Sequence, residues 1–140
     1  MPLVATDTSG AVTRKRLEAF AAKEEKVTVV AATDAATVQA AATLAAAGEV
    51  VYTMTPTTGR TLTTPTGAQL GAAFTDETVG TSFRFTVVNG AAATHAITLT
   101  AGASGVTLGG VAGMATIAAA TSASFVAVFT AANTVTIYRK

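Results

Sequence analysis

The chain has 140 residues, a net charge of +1 and no cysteine, which suits one domain and excludes disulfides, thiol catalysis and thiolate metal sites. Because the net charge is small, no general field would attract nucleic acid or a membrane surface, and we expect neither partner. About a fifth of the residues are threonine, and alanine and valine supply most of the hydrophobic half. Thr and Val are β-branched and favour strands, so the composition predicts a mainly β protein.

The N-terminal segment holds close to half of the charged residues, between positions 14 and 26. Leu17, Phe20 and Ala21 follow helical spacing, which predicts a short amphipathic helix. This helix is either a solvated surface element or part of an arm that docks on a partner. The candidate docking residues are Arg14, Lys15, Arg16, Leu17 and Phe20. We therefore divide the chain into an arm, 1–26, and a β-rich domain, 27–140.

The first part of the domain mixes short strands with helical turns. A strand is predicted at 27–31, and the alanine-rich stretch 35–47 is predicted to be helical, although its Thr and Val residues would also suit a strand. From Gly48 the apolar residues alternate, which predicts strands at 50–55 and 60–63 on either side of a turn. One or two helical turns are expected at 66–74.

The second part of the domain consists of strands. The strand at 82–88 has Phe83 and Phe85 on one face, and Asn89-Gly90 then predicts a turn that leads to a partner strand at 95–100. Further strands are predicted at 106–108, 114–118, 124–130 and 134–139, of which the last two form a pair. This layout is typical of an antiparallel β-sandwich or a barrel-like domain. Its core or self-association strands carry the candidates Phe83, Phe85, Phe125 and Phe129.

Charged residues are almost absent after Glu77, where only Arg84, Arg139 and Lys140 occur. Soluble monomers usually keep their surface charged, whereas the cores of interfaces are depleted in charge. Either other copies of the chain cover much of this half, or threonine and serine hydroxyls alone keep it in solution. The first interpretation predicts a homo-oligomer.

The sequence offers few groups for catalysis. His95 is the only histidine, and no Asp or Glu lies near it in sequence to orient it or to complete a metal site. Asp76 and Glu77 are adjacent, and on a strand they would point to opposite sides, which does not suit a catalytic pair. We expect no enzyme, no cofactor and no catalytic or metal-binding residue.

The pattern from Gly48 onward resembles capsid decoration (cement) proteins of tailed phages and, less specifically, head or tail fibre modules. The most distinctive segments are Val79–Asn89, VGTSFRFTVVN, and Ile97–Gly102, ITLTAG. The segments at 61–66, 106–109 and 135–139 complete the resemblance.

What the resemblance implies is a β-rich homotrimer that is made in the host cytoplasm and lies on the outer surface of the virion. There it would bridge neighbouring subunits of the major capsid protein, with residues 1–26 as the arm that faces the capsid. The alternative is a head or tail fibre, or a receptor-binding module that recognises a glycan. Such a module would expose aromatic residues at a tip.

Overall fold

A computed structural model describes residue 22 and residues 25–140 of the chain. Most of the stretch that is predicted to form the amphipathic helix of the N-terminal arm, and all of its candidate docking residues, lie outside the described residues. They are Arg14, Lys15, Arg16, Leu17 and Phe20.

The described residues include ten strands and two short helices. The strands are β1 (Val27–Ala31), β2 (Thr37–Val38), β3 (Glu49–Met54), β4 (Arg60–Thr63), β5 (Ser82–Asn89), β6 (Ile97–Thr100), β7 (Val106–Leu108), β8 (Thr116–Ile117), β9 (Thr121–Ala131) and β10 (Thr134–Arg139). The helices are α1 (Ala41–Ala45), between β2 and β3, and α2 (Gly67–Ala73), between β4 and β5. The prediction of a mainly β protein is confirmed.

The strands belong to two sheets, and the chain alternates between them. A six-stranded sheet has the order β1-β3-β5-β9-β10-β7, and a four-stranded sheet has the order β2-β4-β6-β8. From β1 to β9, every strand lies in the sheet opposite to that of its predecessor. The first six strands therefore wind as a coil, in which each visit to a sheet adds one strand beside the last.

This winding corrects the antiparallel part of the fold prediction. Of the eight pairings among the described residues, five are parallel: β1 with β3, β3 with β5, β2 with β4, β4 with β6, and β7 with β10. Parallel neighbours need a long crossover between them, and here the passage through the opposite sheet supplies it. Only β5 with β9, β9 with β10 and β6 with β8 are antiparallel.

The turn predicted at Asn89-Gly90 does not return the chain to a strand beside β5. β6 instead lies in the other sheet, and Asn89 is buried at the end of β5. The Asn89 side-chain amide donates to the carbonyls of His95, at 2.8 Å, and Ile117, at 3.0 Å, while its oxygen accepts from the Ala91 N–H at 3.0 Å. These bonds tie the end of β5 to the loop before β6 and to β8.

The core contains the inward-facing residues of both sheets in one cluster. Alternation along β5 and β9 sends Phe83, Phe85, Phe125 and Phe129 inward, where each is 5% exposed or less. The rings of Phe85 and Phe125, which face each other across the two strands, are stacked with their centroids 5.1 Å apart. Burial of each ring contributes about 1.5–3 kcal/mol. Because these rings are in the core, they are not exposed to other molecules.

The two helices are short, and each is compared with the helical stretch predicted for it. The stretch 35–47, predicted as helix, contains the two-residue strand β2 before α1, so only part of it is helical. Helix α2 begins at a capping box, in which the Gln69 N–H donates to the Thr66 hydroxyl and the Thr66 N–H donates to the Gln69 side chain. This box confirms the helical turns predicted at 66–74.

Candidate functional site

The outer face of the six-stranded sheet, here called the six-strand face, is poor in charge. On the described strands, the only charged residues of this face are Glu49 and Arg84, which are neighbours across β3 and β5. Val27 and Val29 on β1 are 57% and 66% exposed, and Tyr138 on β10 is 44% exposed. The remaining members are chiefly Val, Ser and Thr, so this face presents methyl groups and hydroxyls.

A line of hydrogen bonds crosses the middle of the six-strand face. The Thr86 hydroxyl donates to the Glu49 carboxylate at 2.7 Å, and the Ser124 hydroxyl lies 2.8 Å from that of Thr86. A hydroxyl has one proton, so if Thr86 donates to Glu49, then Ser124 must donate to Thr86. The carboxylate of Glu49 is thus held within the sheet surface, on β3.

The outer face of the four-stranded sheet, here called the four-strand face, is a regular array of threonines. Thr61 and Thr63 on β4 are in register with Thr98 and Thr100 on β6, and Thr98 is in register with Thr116 on β8. Neighbouring strands are about 4.8 Å apart, and alternate residues along a strand about 6.7 Å apart. None of these five hydroxyls has a hydrogen-bond partner among the described residues. They are available to groups outside the chain.

The first strand of each sheet forms an open edge. β1 has β3 on one side and no neighbour on the other among the described strands, and the same holds for β2 beside β4. Proteins usually protect such edges with a proline, a charged residue or a bulge. β1 has none of these between Val27 and Ala31, and Val38 on β2 is 66% exposed. Among the described strands, this end of the coil therefore has two unprotected edges.

An ion pair fixes the connections beside the open edge. The Asp34 carboxylate accepts from the Arg60 side chain at 2.5 Å and from the hydroxyl and N–H of Thr57. The bond from Arg60, followed by that from the Thr57 hydroxyl, holds the pKa of Asp34 well below its usual range. Asp34 therefore stays ionised at neutral pH and joins the loop after β1 to the start of β4.

His95 lies in the loop before β6, not on a strand, and it is half-buried. Asp76 and Glu77 lie in the connection after α2, so the strand geometry considered for them does not apply. Among residues 22 and 25–140, no three His, Asp or Glu side chains come together as a metal site would require.

Comparison of the chain with known protein families, curated proteins and solved structures finds no match. Within the described part of the chain, no helix is both long enough and apolar enough to cross a membrane.

Two buried polar side chains in the core have unpaired atoms. The Tyr52 hydroxyl and both polar atoms of the Gln39 amide have no hydrogen-bond partner among the described residues. Burial raises the pKa of Tyr52 to about 12, because the phenolate would be poorly solvated there. These groups lie inside the body and offer nothing to a partner at its surface.

A cleft of about 500 Å³ lies at the end of the six-stranded sheet, between the glycine-rich loop 109–114 and the last residues of β10. The sequence predicts that Tyr138 lies on the final strand, 134–139, but it does not bring this residue together with the glycine-rich loop. Their contact depends on the parallel pairing of β7 with β10, which no local pattern indicates. The alternation along β10 does predict that Tyr138 faces away from the core.

Proposed function

We propose that this protein is a structural virion protein that decorates the outer surface of a tailed-phage capsid. In this function it bridges neighbouring subunits of the major capsid protein, acts as a homotrimer and has no catalytic activity. It is made in the host cytoplasm and incorporated into the virion.

The observation that carries the proposal is the pair of exposed, charge-poor sheet faces. Tyr138 and the valines of the six-strand face, and the threonine array of the four-strand face, have the composition of surfaces that another protein covers. The open edge at β1 adds unpaired backbone groups beside them. The resemblance of segments such as Val79–Asn89 to decoration proteins gives the class of partner.

The charged N-terminal segment supplies the second half of the proposal. Strand β1 begins at Val27, directly after this segment. The arm is therefore attached to the β-rich domain at the open edge of the six-stranded sheet. We assign capsid docking to Arg14, Lys15, Arg16, Leu17 and Phe20. We assign self-association to the outer faces of the β-rich domain. Stabilisation of the shell then follows from mass action, because a ligand that binds only the assembled shell raises its stability.

The test is binding of the purified full-length protein to undecorated tailed-phage capsids, measured by co-sedimentation and by capsid melting. We expect stoichiometric binding and a higher capsid melting temperature. Neither co-sedimentation nor a shift in melting with any shell tested would contradict the decoration function.

A charge-reversed arm tests how the protein docks. The variant with Arg14→Glu, Lys15→Glu and Arg16→Glu is expected to lose capsid binding, while Lys140→Glu, a reversal at the far end of the chain, serves as the control. Both variants should melt at the temperature of the wild type. Equal capsid affinity of the two variants would move the docking contact from the arm to the body.

A further inference from the structure

The six-strand face has two apolar parts, one on each side of its middle strand β5. The first part, here called the β1 patch, consists of Val27, Val29 and Val51. The second part, here called the β9 patch, consists of Val126, Val128 and Tyr138. Val29 is in register with Val51, and Val126 with Tyr138, so the members of each patch are neighbours. Contiguous apolar surface that is open to solvent marks a site where another molecule binds.

The charged residues of the face lie in its middle. Arg84 on β5 is exposed and has no hydrogen bond or ion pair among the described residues. Glu49, its neighbour in register on β3, is half-buried, and its Oε1 accepts from the Thr86 hydroxyl at 2.7 Å. The Oε2 of Glu49 has no partner among the same residues. Within one copy, therefore, no ion pair joins the guanidinium to the carboxylate.

The face is complementary in charge to a second copy of itself. Arg84 requires a negatively charged acceptor and Glu49 a positively charged donor, and a second copy supplies both. A partner surface of one sign, such as nucleic acid or an anionic membrane, would attract Arg84 and repel Glu49. Burial of either charge without a partner is strongly unfavourable, so a molecule that covers the two patches must also satisfy both side chains.

We propose that the six-strand face is the contact between copies in the homotrimer, with Arg84 of one copy paired with Glu49 of the next. This interface rests on the homotrimer of the proposed function and gives that trimer its contact residues. The β1 patch of each copy packs on the β9 patch of its neighbour. Because the two patches differ, the contact is head-to-tail, and such a contact forms a ring when the rotation between copies closes. Strand β5 lies between the patches, so three Arg84 and three Glu49 side chains meet around the axis and their charges cancel.

Charge reversal at the two residues tests the pairing. Arg84→Glu places a further carboxylate beside each Glu49, and Glu49→Arg places a further guanidinium beside each Arg84. We expect each variant to raise the protein concentration at which half of the trimer dissociates by at least about tenfold, measured by sedimentation velocity. Thr58→Glu, a new charge in the exposed turn between β3 and β4, is the control and should leave this concentration unchanged. Dissociation of both reversed variants at the concentration of the wild type would overturn the proposal.

Mixing the two reversed variants distinguishes a pair between copies from a pair within one copy. The variant Glu49→Arg keeps Arg84 but has lost its acceptor, and the variant Arg84→Glu keeps Glu49 but has lost its donor. Equal amounts of the two should form mixed oligomers at concentrations where each alone is a monomer, detected by co-sedimentation of two fluorescent labels. Recovered association also shows that both variants are folded. If the mixture associates no more than either variant alone, no pair forms between copies.

Cross-linking tests the head-to-tail arrangement, and the chain has no cysteine of its own. Val27 and Thr136 lie on β1 and β10, four strand spacings or at least about 19 Å apart in one copy. A short bis-maleimide cannot span that distance within one copy. We expect covalent trimers from the double variant Val27→Cys with Thr136→Cys, and no product from either single variant. Covalent dimers from Val27→Cys alone would show a two-fold contact and overturn the arrangement.

Capsid binding by the same proteins separates this interface from the decoration function. A trimer whose dissociation and cross-linking do not depend on these residues would overturn the interface and leave decoration intact. A trimer that forms through Arg84 and Glu49 but binds no capsid would contradict decoration and leave the interface intact. A wild type that is monomeric at high concentration would overturn the interface, and its co-sedimentation with capsids would still decide whether it decorates them.

Discussion

At the scale of single residues, the buried hydroxyl of Tyr52 is a group that costs stability. Tyr52 is 3% exposed, and its hydroxyl has no hydrogen-bond partner among the described residues. We expect Tyr52→Phe to raise the free energy of unfolding by about 1 kcal/mol, because removing an unpaired buried hydroxyl removes its desolvation cost. Denaturant unfolding at neutral pH measures this change.

We also expect Tyr52→Phe to change how the stability of the folded protein depends on pH in the alkaline range. Burial raises the pKa of Tyr52 to about 12 in the folded protein, so the unfolded chain releases the phenol proton first as the pH rises. The folded state therefore loses stability between about pH 10 and 12, and Tyr52→Phe should remove this part of the loss. Tyr138→Phe, which removes a half-exposed hydroxyl, is the control. A Tyr52→Phe variant less stable than the wild type at neutral pH would show that the hydroxyl is bonded.

At the scale of elements, helix α2 approaches the backbone of neighbouring segments so closely at Gly67 that no side chain fits there. A Cβ atom at Gly67 would collide with the backbone carbonyl of Asn133 and lie 2.8 Å from that of Gly105. Backbone cannot move aside as a side chain can, so we expect Gly67→Ala to lower the free energy of unfolding by about 2–3 kcal/mol. Gly59→Ala is the matched control, since its Cβ would meet only the Ala96 carbonyl, at 3.9 Å. If both variants unfold at the same denaturant concentration, α2 does not pack as described.

The positions of most strands were predictable, because alternation of apolar residues is a local signal. The segments 60–63, 106–108 and 134–139 are strands with the predicted bounds, and β9 with β10 forms the predicted pair. The direction of pairing was not predictable in this way. Whether a strand returns beside its predecessor or crosses to the other sheet depends on long-range packing. At Asn89, burial of the side chain prevailed over the local preference for a turn.

The candidate surfaces were predictable only in composition. The scarcity of charge after Glu77 is visible in the sequence, and it applies to strands β5 to β10, which contribute to both outer faces. The threonine array depends on the register of β4 with β6, and the cleft depends on the approach of Gly109 to Tyr138. Neither is contained in a local pattern, because each joins residues from distant parts of the chain.

At the scale of the whole molecule, self-association through the outer faces predicts a response to single charges. Val29 is 66% exposed on the edge strand β1, and Val38 is 66% exposed on the edge strand β2. A lysine at either position would be desolvated without a partner if another copy covered it, which costs several kcal/mol. We expect at least one of the single variants Val29→Lys and Val38→Lys to be a monomer at micromolar concentration, where the wild type is a trimer.

Light scattering coupled to gel filtration measures the mass of each variant, and Thr58→Lys is the control. Thr58 is exposed in the turn between β3 and β4, away from the strand residues of both faces, so a lysine there should leave the trimer intact. Because Val29 and Val38 point outward, neither lysine should change the stability of the folded monomer by more than about 0.5 kcal/mol. Loss of the trimer with Val29→Lys alone would assign the interface to the six-strand face, and with Val38→Lys alone to the four-strand face. A monomeric wild type at high concentration would contradict self-association, and the bare faces would then be free to contact the capsid directly.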